Sequence, residues 1–206
     1  MEAHAIGHAG TAHLDTSTGL DSRKMGMWVL IGSECLLFGS LIATYVVNLD
    51  RSVEGPWPHE ILNIPLTSFS TFVLLMSSLL MVLALQAVQR ANRKLATLWL
   101  FGVAFFGAIF LGAQVYEFTH FAHEGLTLGQ NLFGSSFYLL TGTHGSHVAV
   151  GVLWMITLGI QSARGKLGPE KSITVEVAGL YWHFVDVIWI VIFTLVYLIH
   201  PPSAPL

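Results

Sequence analysis

The chain has 206 residues, of which 53% are hydrophobic and only 10% are charged, and its formal net charge is −3. A soluble domain carries about a quarter charged residues, so this composition argues for an integral membrane protein. The sequence shows neither a basic patch nor a glycine-rich phosphate loop, which leaves nucleic-acid and nucleotide binding without support. Its one cysteine, Cys35, excludes an internal disulfide.

Five long apolar runs follow a polar segment at residues 1–24. Each is at least as long as the ~20 residues with which an α-helix crosses a bilayer, and a backbone in lipid must satisfy its own hydrogen bonds. We therefore predict an all-α, polytopic membrane protein in which a transmembrane domain at 25–199 lies between polar tails at 1–24 and 200–206. The five helices are predicted over residues 25–48, 64–89, 95–118, 133–161 and 173–199.

The basic residues are distributed asymmetrically between the two sides that five helices would define. One side carries only Arg51, and the other carries Arg23, Lys24, Arg90, Arg93, Lys94, Arg164, Lys166 and Lys171. The positive-inside rule then predicts a cytoplasmic N-terminus and an external C-terminus. Some of these cations could also bind anionic lipid headgroups, although ordinary topology explains their positions nearly as well.

Four of the predicted helices carry ionisable side chains within or near the apolar layer, where such groups usually face other helices or a watered cavity. They are Glu34 in the first helix, Glu117 and His120 in the third, His144 and His147 in the fourth, and His183 and Asp186 in the fifth. Residues three apart share a helix face, so the fifth helix can present an imidazole and a carboxylate together. Glu34 lies at a similar depth, so it could meet His183 and Asp186 in one polar cluster if the first and fifth helices are neighbours.

Several interpretations of these polar groups are open. A haem site is disfavoured because a three-residue spacing cannot supply both axial ligands from one helix. A proton path would use the carboxylates and histidines, and a copper or other metal site would use His144, His147 and His183. The interpretation that physical chemistry favours is interhelical hydrogen bonding, at about 1 kcal/mol or less per bond. On that basis Asp186 bonds His183 or a neighbouring helix, and Glu34 is neutral or paired with a cation or headgroup.

Four segments resemble the signature segments of subunit III of the haem-copper terminal oxidases, in its short bacterial form with five helices. They are GMWVLIGSECLLFGSLIATY (26–45), QVYEF (114–118), GTHGSHVAVG (142–151) and YWHFVDVIW (181–189). The resemblance extends in order over residues 25–199. The glutamate of the first segment, Glu34, matches the membrane-buried glutamate of that family.

The resemblance implies a subunit of a complex in a bacterial plasma membrane that reduces dioxygen to water and pumps protons. This chain would hold no haem, copper or other metal and no catalytic residue. It would contact subunit I directly, together with subunit II and a small subunit IV, and would support proton uptake and the stability of the catalytic subunit. Its helices would form a V-shaped cleft that binds phospholipids. Glu34, Glu117, His144, His147, His183 and Asp186 would be buried polar or lipid-cleft residues.

The electron donor is less clearly indicated. YWHFVDV and the Pro56-Trp57-Pro58 loop resemble the cytochrome c branch, whereas the histidines of the N-terminal tail resemble quinol oxidases of the bo3 or aa3 type. A subunit-III-like accessory protein of nitric oxide reductase is a remoter alternative. An independent proton-coupled transporter using Glu34 and Asp186 is another, weakened because we find no inverted repeat. A purely structural assembly factor is the last.

Overall fold

The computed structural model describes residues 21–48, 64–123 and 132–198, and this part of the chain is helical without strands. The helices are α1 (Ser22–Asn48), α2 (Ile64–Gln89), α3 (Arg93–His123), α4 (Leu132–Ala163) and α5 (Ser172–Phe193). A short 3₁₀ turn, Pro169–Lys171, precedes α5, and a π-helical turn, Thr194–Leu198, continues it. All five helices are long and apolar enough to cross a membrane, which confirms the predicted all-α membrane fold.

The helix ends follow the predicted bounds closely except in α3, which continues to His123 rather than ending at 118. The prediction followed the apolar run, but residues 119–123 contain no glycine or proline to stop a helix. The hydroxyl of Thr119 also bonds the carbonyls of Val115 and Tyr116, so this polar side chain is satisfied by its own helix. Most of the two predicted tails, the 56–58 loop and Arg51 lie outside the described residues.

Two tight turns join α2 to α3 and end α4. After α4, Gly165 has a φ of +72°, and Lys166 N–H bonds the carbonyl of Gln161 at 2.9 Å, the pattern of a Schellman cap. The α2–α3 turn repeats this pattern with Ala91, whose φ of +56° is uncommon for a residue with a Cβ. Asn92 then caps α3 by accepting a hydrogen bond from Leu95 N–H at 3.2 Å.

The helices pack so that α5 lies against both α2 and α4, while α2, α3 and α4 pack in sequence order. The first helix is peripheral: it packs on α4 and α5, and it buries only Met27, Phe38 and Tyr45 among its residues. An ion pair between two partly exposed side chains, Lys24 Nζ to Glu176 Oε1 at 2.6 Å, also joins α1 to α5, but ion pairs near the surface contribute little stability.

Trp182 of α5 is fully buried in a slot between α3 and α4. Two glycines form the walls of this slot. A Cβ on Gly107 would lie 2.7 Å from Trp182 Cη2, and a Cβ on Gly151 would lie 2.6 Å from Trp182 Cζ3. These positions therefore require glycine, because any side chain there would overlap the indole ring, and small residues let membrane helices approach closely.

Candidate functional site: polar contacts at membrane depth

One polar contact joins Glu34 near the middle of α1 to His147 near the middle of α4. The Oε2 atom of Glu34 lies 3.1 Å from Nε2 of His147, and the two side chains are 20% and 18% exposed. Phe38 packs its ring edge-on against His147 at 5.1 Å, and Tyr181 donates to the backbone carbonyl of His147 at 3.0 Å. The pair therefore attaches α1 to the rest of the bundle at its middle.

The other ring nitrogen of His147 fixes how protons are arranged in this pair. Nδ1 lies 2.8 Å from the carbonyl of Thr143. Because a carbonyl oxygen only accepts, Nδ1 must carry a proton. The contact with Glu34 then holds one further proton, either as a carboxylic acid donating to a neutral imidazole or as an imidazolium donating to a carboxylate. Both states have no net charge, which makes this pair tolerable at membrane depth.

His144, one turn before His147 on α4, is fully buried and faces aromatic rings rather than a carboxylate. Its Nε2 donates to the carbonyl of Val185 on α5 at 3.2 Å. Its ring lies 4.8 Å from that of Trp189 and 5.8 Å from that of Phe110. Within the described ranges its Nδ1 has no hydrogen-bond partner. His144 thus joins α4 to α5 through one hydrogen bond and ring packing.

A ladder of three side-chain hydrogen bonds joins α2 to α5. Ser77 accepts from Nε1 of Trp182 at 2.9 Å, and Thr71 accepts from Nε1 of Trp189 at 2.9 Å. Next to the Ser77–Trp182 bond, the Ser78 hydroxyl lies 2.6 Å from Nδ1 of His183. The Ser77–Trp182 and Thr71–Trp189 bonds satisfy buried indole N–H groups that would otherwise be costly in an apolar interior.

Glu117 of α3 is buried where α2, α3 and the end of α5 meet. Thr67 of α2 donates a hydrogen bond to its Oε1 atom. The hydroxyl of Tyr197 also bonds the Glu117 side chain, and this tyrosine lies in the π-helical turn Thr194–Leu198. Side chains of three helices thus meet at this buried carboxyl.

Asp186 differs from the other ionisable groups of the bundle. The residue is 3% exposed, yet neither carboxyl oxygen has a hydrogen-bond partner of ordinary geometry among the described residues. The Ser78 hydroxyl is close enough to interact with it, but this hydroxyl already bonds His183. The expected Asp186–His183 bond is therefore not formed, since the ring of His183 is directed to α2.

In the helices that the structure describes, Glu34 does not contact His183 or Asp186 through a hydrogen bond. The first and fifth helices are neighbours as required, but Glu34 bonds His147 of α4 instead. The three histidines of the candidate metal site each face a different group, namely Val185, Glu34 and Ser78. In the part of the chain that the structure describes, no three His, Cys, Asp or Glu side chains are arranged to hold a metal.

Sequence analysis missed the hydroxyl residues of α2, because it considered only ionisable groups. A signal was present in the sequence: Thr67, Ser70, Thr71, Ser77 and Ser78 recur at intervals that keep one helix face. Trp182 and Trp189, seven residues apart on α5, form the matching face. Gln114, whose Nε2 donates to the carbonyl of Thr141 at 2.7 Å, links α3 to α4 in the same way.

These contacts define a multi-pass helical membrane protein whose buried polar side chains bond mainly between its own helices. A sequence model of the family described as "Cytochrome c oxidase subunit III" matches residues 4–200. The chain therefore belongs to the cytochrome c oxidase subunit III family, whose members are subunits of terminal oxidases. This assignment confirms the resemblance in the four helix segments and makes the chain part of an oxidoreductase complex.

The chain is similar to proteins from both branches of the family. Cytochrome c oxidase subunit 3 of Bacillus sp. (strain PS3) is 43% identical over 177 residues, covering 86% of this chain and 86% of the relative. Quinol oxidase subunit 3 of Bacillus spizizenii is 40% identical over 174 residues, covering 84% of this chain and 85% of the relative. Cytochrome c oxidase subunit 3 of Bacillus subtilis is 41% identical over 178 residues, covering 86% of each. These identities are too close to separate the two branches.

Proposed function

We propose that this chain is a cofactor-free, non-catalytic subunit of a proton-pumping terminal oxidase, whose polar contacts fix the packing of its helices beside the catalytic subunit. One observation carries the proposal: the histidines at membrane depth use ring nitrogens to bond Glu34, Val185 and Ser78 inside the same chain. A haem or copper site needs ring nitrogens directed at one common point. Ring nitrogens used in this way act as interhelical bonds.

The same reasoning assigns roles to the predicted site residues. Glu34 with His147 attaches the peripheral helix α1, Glu117 joins α2 to α3 and α5, and His144 and His183 join α5 to its two neighbours. Asp186 is buried in α5 without such a bond, so its contribution is to the polarity of the interior rather than to a specific link. None of these groups is assigned to catalysis.

The partners follow from the family. We propose direct contact with subunit I, and membership of a complex that also contains subunit II and a small subunit IV. We also propose a phospholipid-lined, V-shaped cleft beside α1, whose exposed apolar side chains, such as Trp28 at 57% and Leu36 at 77% exposure, would contact acyl chains. In this role the subunit supports proton uptake by the catalytic subunit and protects it from inactivation.

The location that we propose is a bacterial plasma membrane with a cytoplasmic N-terminus. Support comes from the described basic residues, because Arg23 and Lys24 begin α1 at the same end of the bundle as the α2–α3 turn and the α4–α5 connection. As electron donor we propose cytochrome c, supported by the YWHFVDV segment at 181–187. The quinol branch is the alternative that the 40% identical quinol oxidase subunit supports. A dinuclear copper centre in the accompanying subunit II would decide between them.

The proposal is tested by comparing the purified oxidase with the same complex prepared without this subunit. We expect equal haem and copper content per subunit I in both preparations. We also expect oxygen reduction without the subunit to start normally, but to be lost within fewer turnovers and to show slower proton uptake. Loss of a stoichiometric haem or copper together with this chain would contradict the cofactor-free assignment. Unchanged lifetime and unchanged proton uptake would contradict the supporting role.

A further inference from the structure

A cavity at the basic end of the bundle lies apart from the polar contacts at membrane depth. It has a volume of about 930 Å³ and lies between the α2–α3 turn and the end of α4. We call it the turn cavity, and its lining includes Arg90, Asn92, Arg93, Lys94, Thr97 and Ala163. Among the described residues that line it, three are basic and none is acidic. The turn cavity is therefore a concave surface of positive charge.

The walls of the turn cavity are held in place by hydrogen bonds. Arg93 donates through Nη2 to the carbonyl of Ala163, which ties the start of α3 to the end of α4. Beside it, the hydroxyl of Thr97 lies 2.8 Å from that of Ser162. The α2–α3 turn is closed by the Schellman pattern around Ala91. A rigid cavity loses less conformational entropy on binding a ligand than a flexible surface does.

Two cations of the turn cavity remain available for a ligand. Both Arg90 and Lys94 are exposed, and neither has a carboxylate within salt-bridge distance in the ranges that the structure describes. The start of the 31-residue helix α3 lies at the same place, and its amino end adds partial positive charge. An anion with several acceptor oxygens, such as a phosphate, matches these donors.

Apolar surface continues from the turn cavity toward the membrane interior. Leu98 and Phe101 follow Lys94 at helical spacings of four and seven residues, so all three share one face of α3. Their exposures are 59% and 40%. A free phosphate would not contact this apolar surface, whereas a phospholipid would place its headgroup in the cavity and an acyl chain along Leu98 and Phe101. The geometry points to an amphiphilic ligand.

We propose that the turn cavity binds the phosphate group of an anionic phospholipid, at a site separate from any lipid beside α1. The decisive variant is Arg90→Gln/Lys94→Gln in the intact oxidase. Its matched control is Arg164→Gln/Lys166→Gln, which removes one arginine and one lysine from the neighbouring turn after α4. A basic residue near the surface contributes about 1 kcal/mol to binding an anionic lipid, so two removed cations should weaken it roughly 30-fold.

The measurement is native mass spectrometry of the purified oxidase, titrated with phosphatidylglycerol, with phosphatidylcholine, or with inorganic phosphate. We expect the wild type and the control to retain one more phosphatidylglycerol than the Arg90→Gln/Lys94→Gln variant, and phosphatidylcholine to be retained equally by all three. Equal phosphatidylglycerol retention by the two double variants would overturn the site. Displacement of the retained lipid by millimolar inorganic phosphate would overturn the phospholipid as its occupant. Thermal stability in phosphatidylcholine alone checks that all variants are folded.

Discussion

Replacing Glu34 by glutamine should leave the bundle nearly as stable as before, whereas replacing it by leucine should not. Because Nδ1 of His147 donates to the carbonyl of Thr143, Nε2 is free to accept a hydrogen bond when the ring is neutral. The amide N–H of a glutamine can supply that bond in place of a carboxylic acid. A leucine removes the bond and leaves Nε2 of His147 without it.

The size of the effect follows from the geometry. The 3.1 Å contact is about four-fifths shielded from solvent on both sides, and interhelical hydrogen bonds in membranes average about 0.6 and reach about 1.7 kcal/mol. We therefore expect Glu34→Gln to cost less than about 0.5 kcal/mol and Glu34→Leu to cost about 1–2 kcal/mol. The larger cost changes the unfolding equilibrium by roughly 5- to 30-fold.

The assay is a titration of the purified chain in mixed micelles with sodium dodecyl sulfate, followed by tryptophan fluorescence and circular dichroism. Glu34→Leu is measured in the wild type and in a His147→Leu background, so that the double-mutant cycle isolates the pair. In that background we expect Glu34→Leu to cost little, because its partner is already absent. The reasoning is refuted if the glutamine variant unfolds as easily as the leucine variant, or if the cost of leucine is the same in both backgrounds.

Three further predictions concern α3 and α5 and use the same titration. Gly107→Ala should lower the free energy of unfolding by about 1–3 kcal/mol, because its Cβ would overlap Trp182. The control Gly112→Ala on the same helix, whose Cβ would have nothing within 4 Å, should be neutral or stabilising. Equal effects of the two variants would contradict the close packing of Trp182 against Gly107. Trp182→Phe should cost about 0.6–1.7 kcal/mol for its lost hydrogen bond, in addition to the cost of the cavity that the smaller ring leaves. A subsequent Ser77→Ala should then cost almost nothing, and an additive result would be evidence against the bond. Asp186→Asn should unfold within about 0.5 kcal/mol of the wild type, since no hydrogen bond is lost; marked destabilisation would reveal a partner for the carboxylate.

The five spans were predictable because each apolar run is long enough to cross a bilayer and because five helices place all basic residues except Arg51 on one side. Their bounds were predicted to within a few residues, since the physical signal, hydropathy, is local in sequence. Helix α3 continues to His123, beyond residue 118, because helix continuation depends on the absence of a stop signal rather than on hydropathy. Nothing in the apolar pattern around His120 marks that difference.

Pairings between helices were much less predictable. Glu34, His183 and Asp186 lie at similar depth, and depth alone favoured their meeting, but the rotation of each helix about its axis decides which groups meet. That rotation is set by bulky contacts, such as Trp182 between Gly107 and Gly151. The unbonded carboxyl of Asp186 had no sequence signal either, because a nearby histidine three residues before it suggested a partner.

The attachment of α1 has a consequence for how the protein is made. Helix α1 is synthesised before the other four described helices, yet the residue that pairs with Glu34 lies 113 positions later in the chain. At ribosomal rates of about 5–20 residues per second, the nascent α1 waits roughly 6–23 s before His147 emerges. During that interval its glutamate must be kept protonated, held at the translocon or shielded by an insertion factor. An unpaired carboxylate at membrane depth is therefore a cost of membrane insertion rather than of the finished bundle.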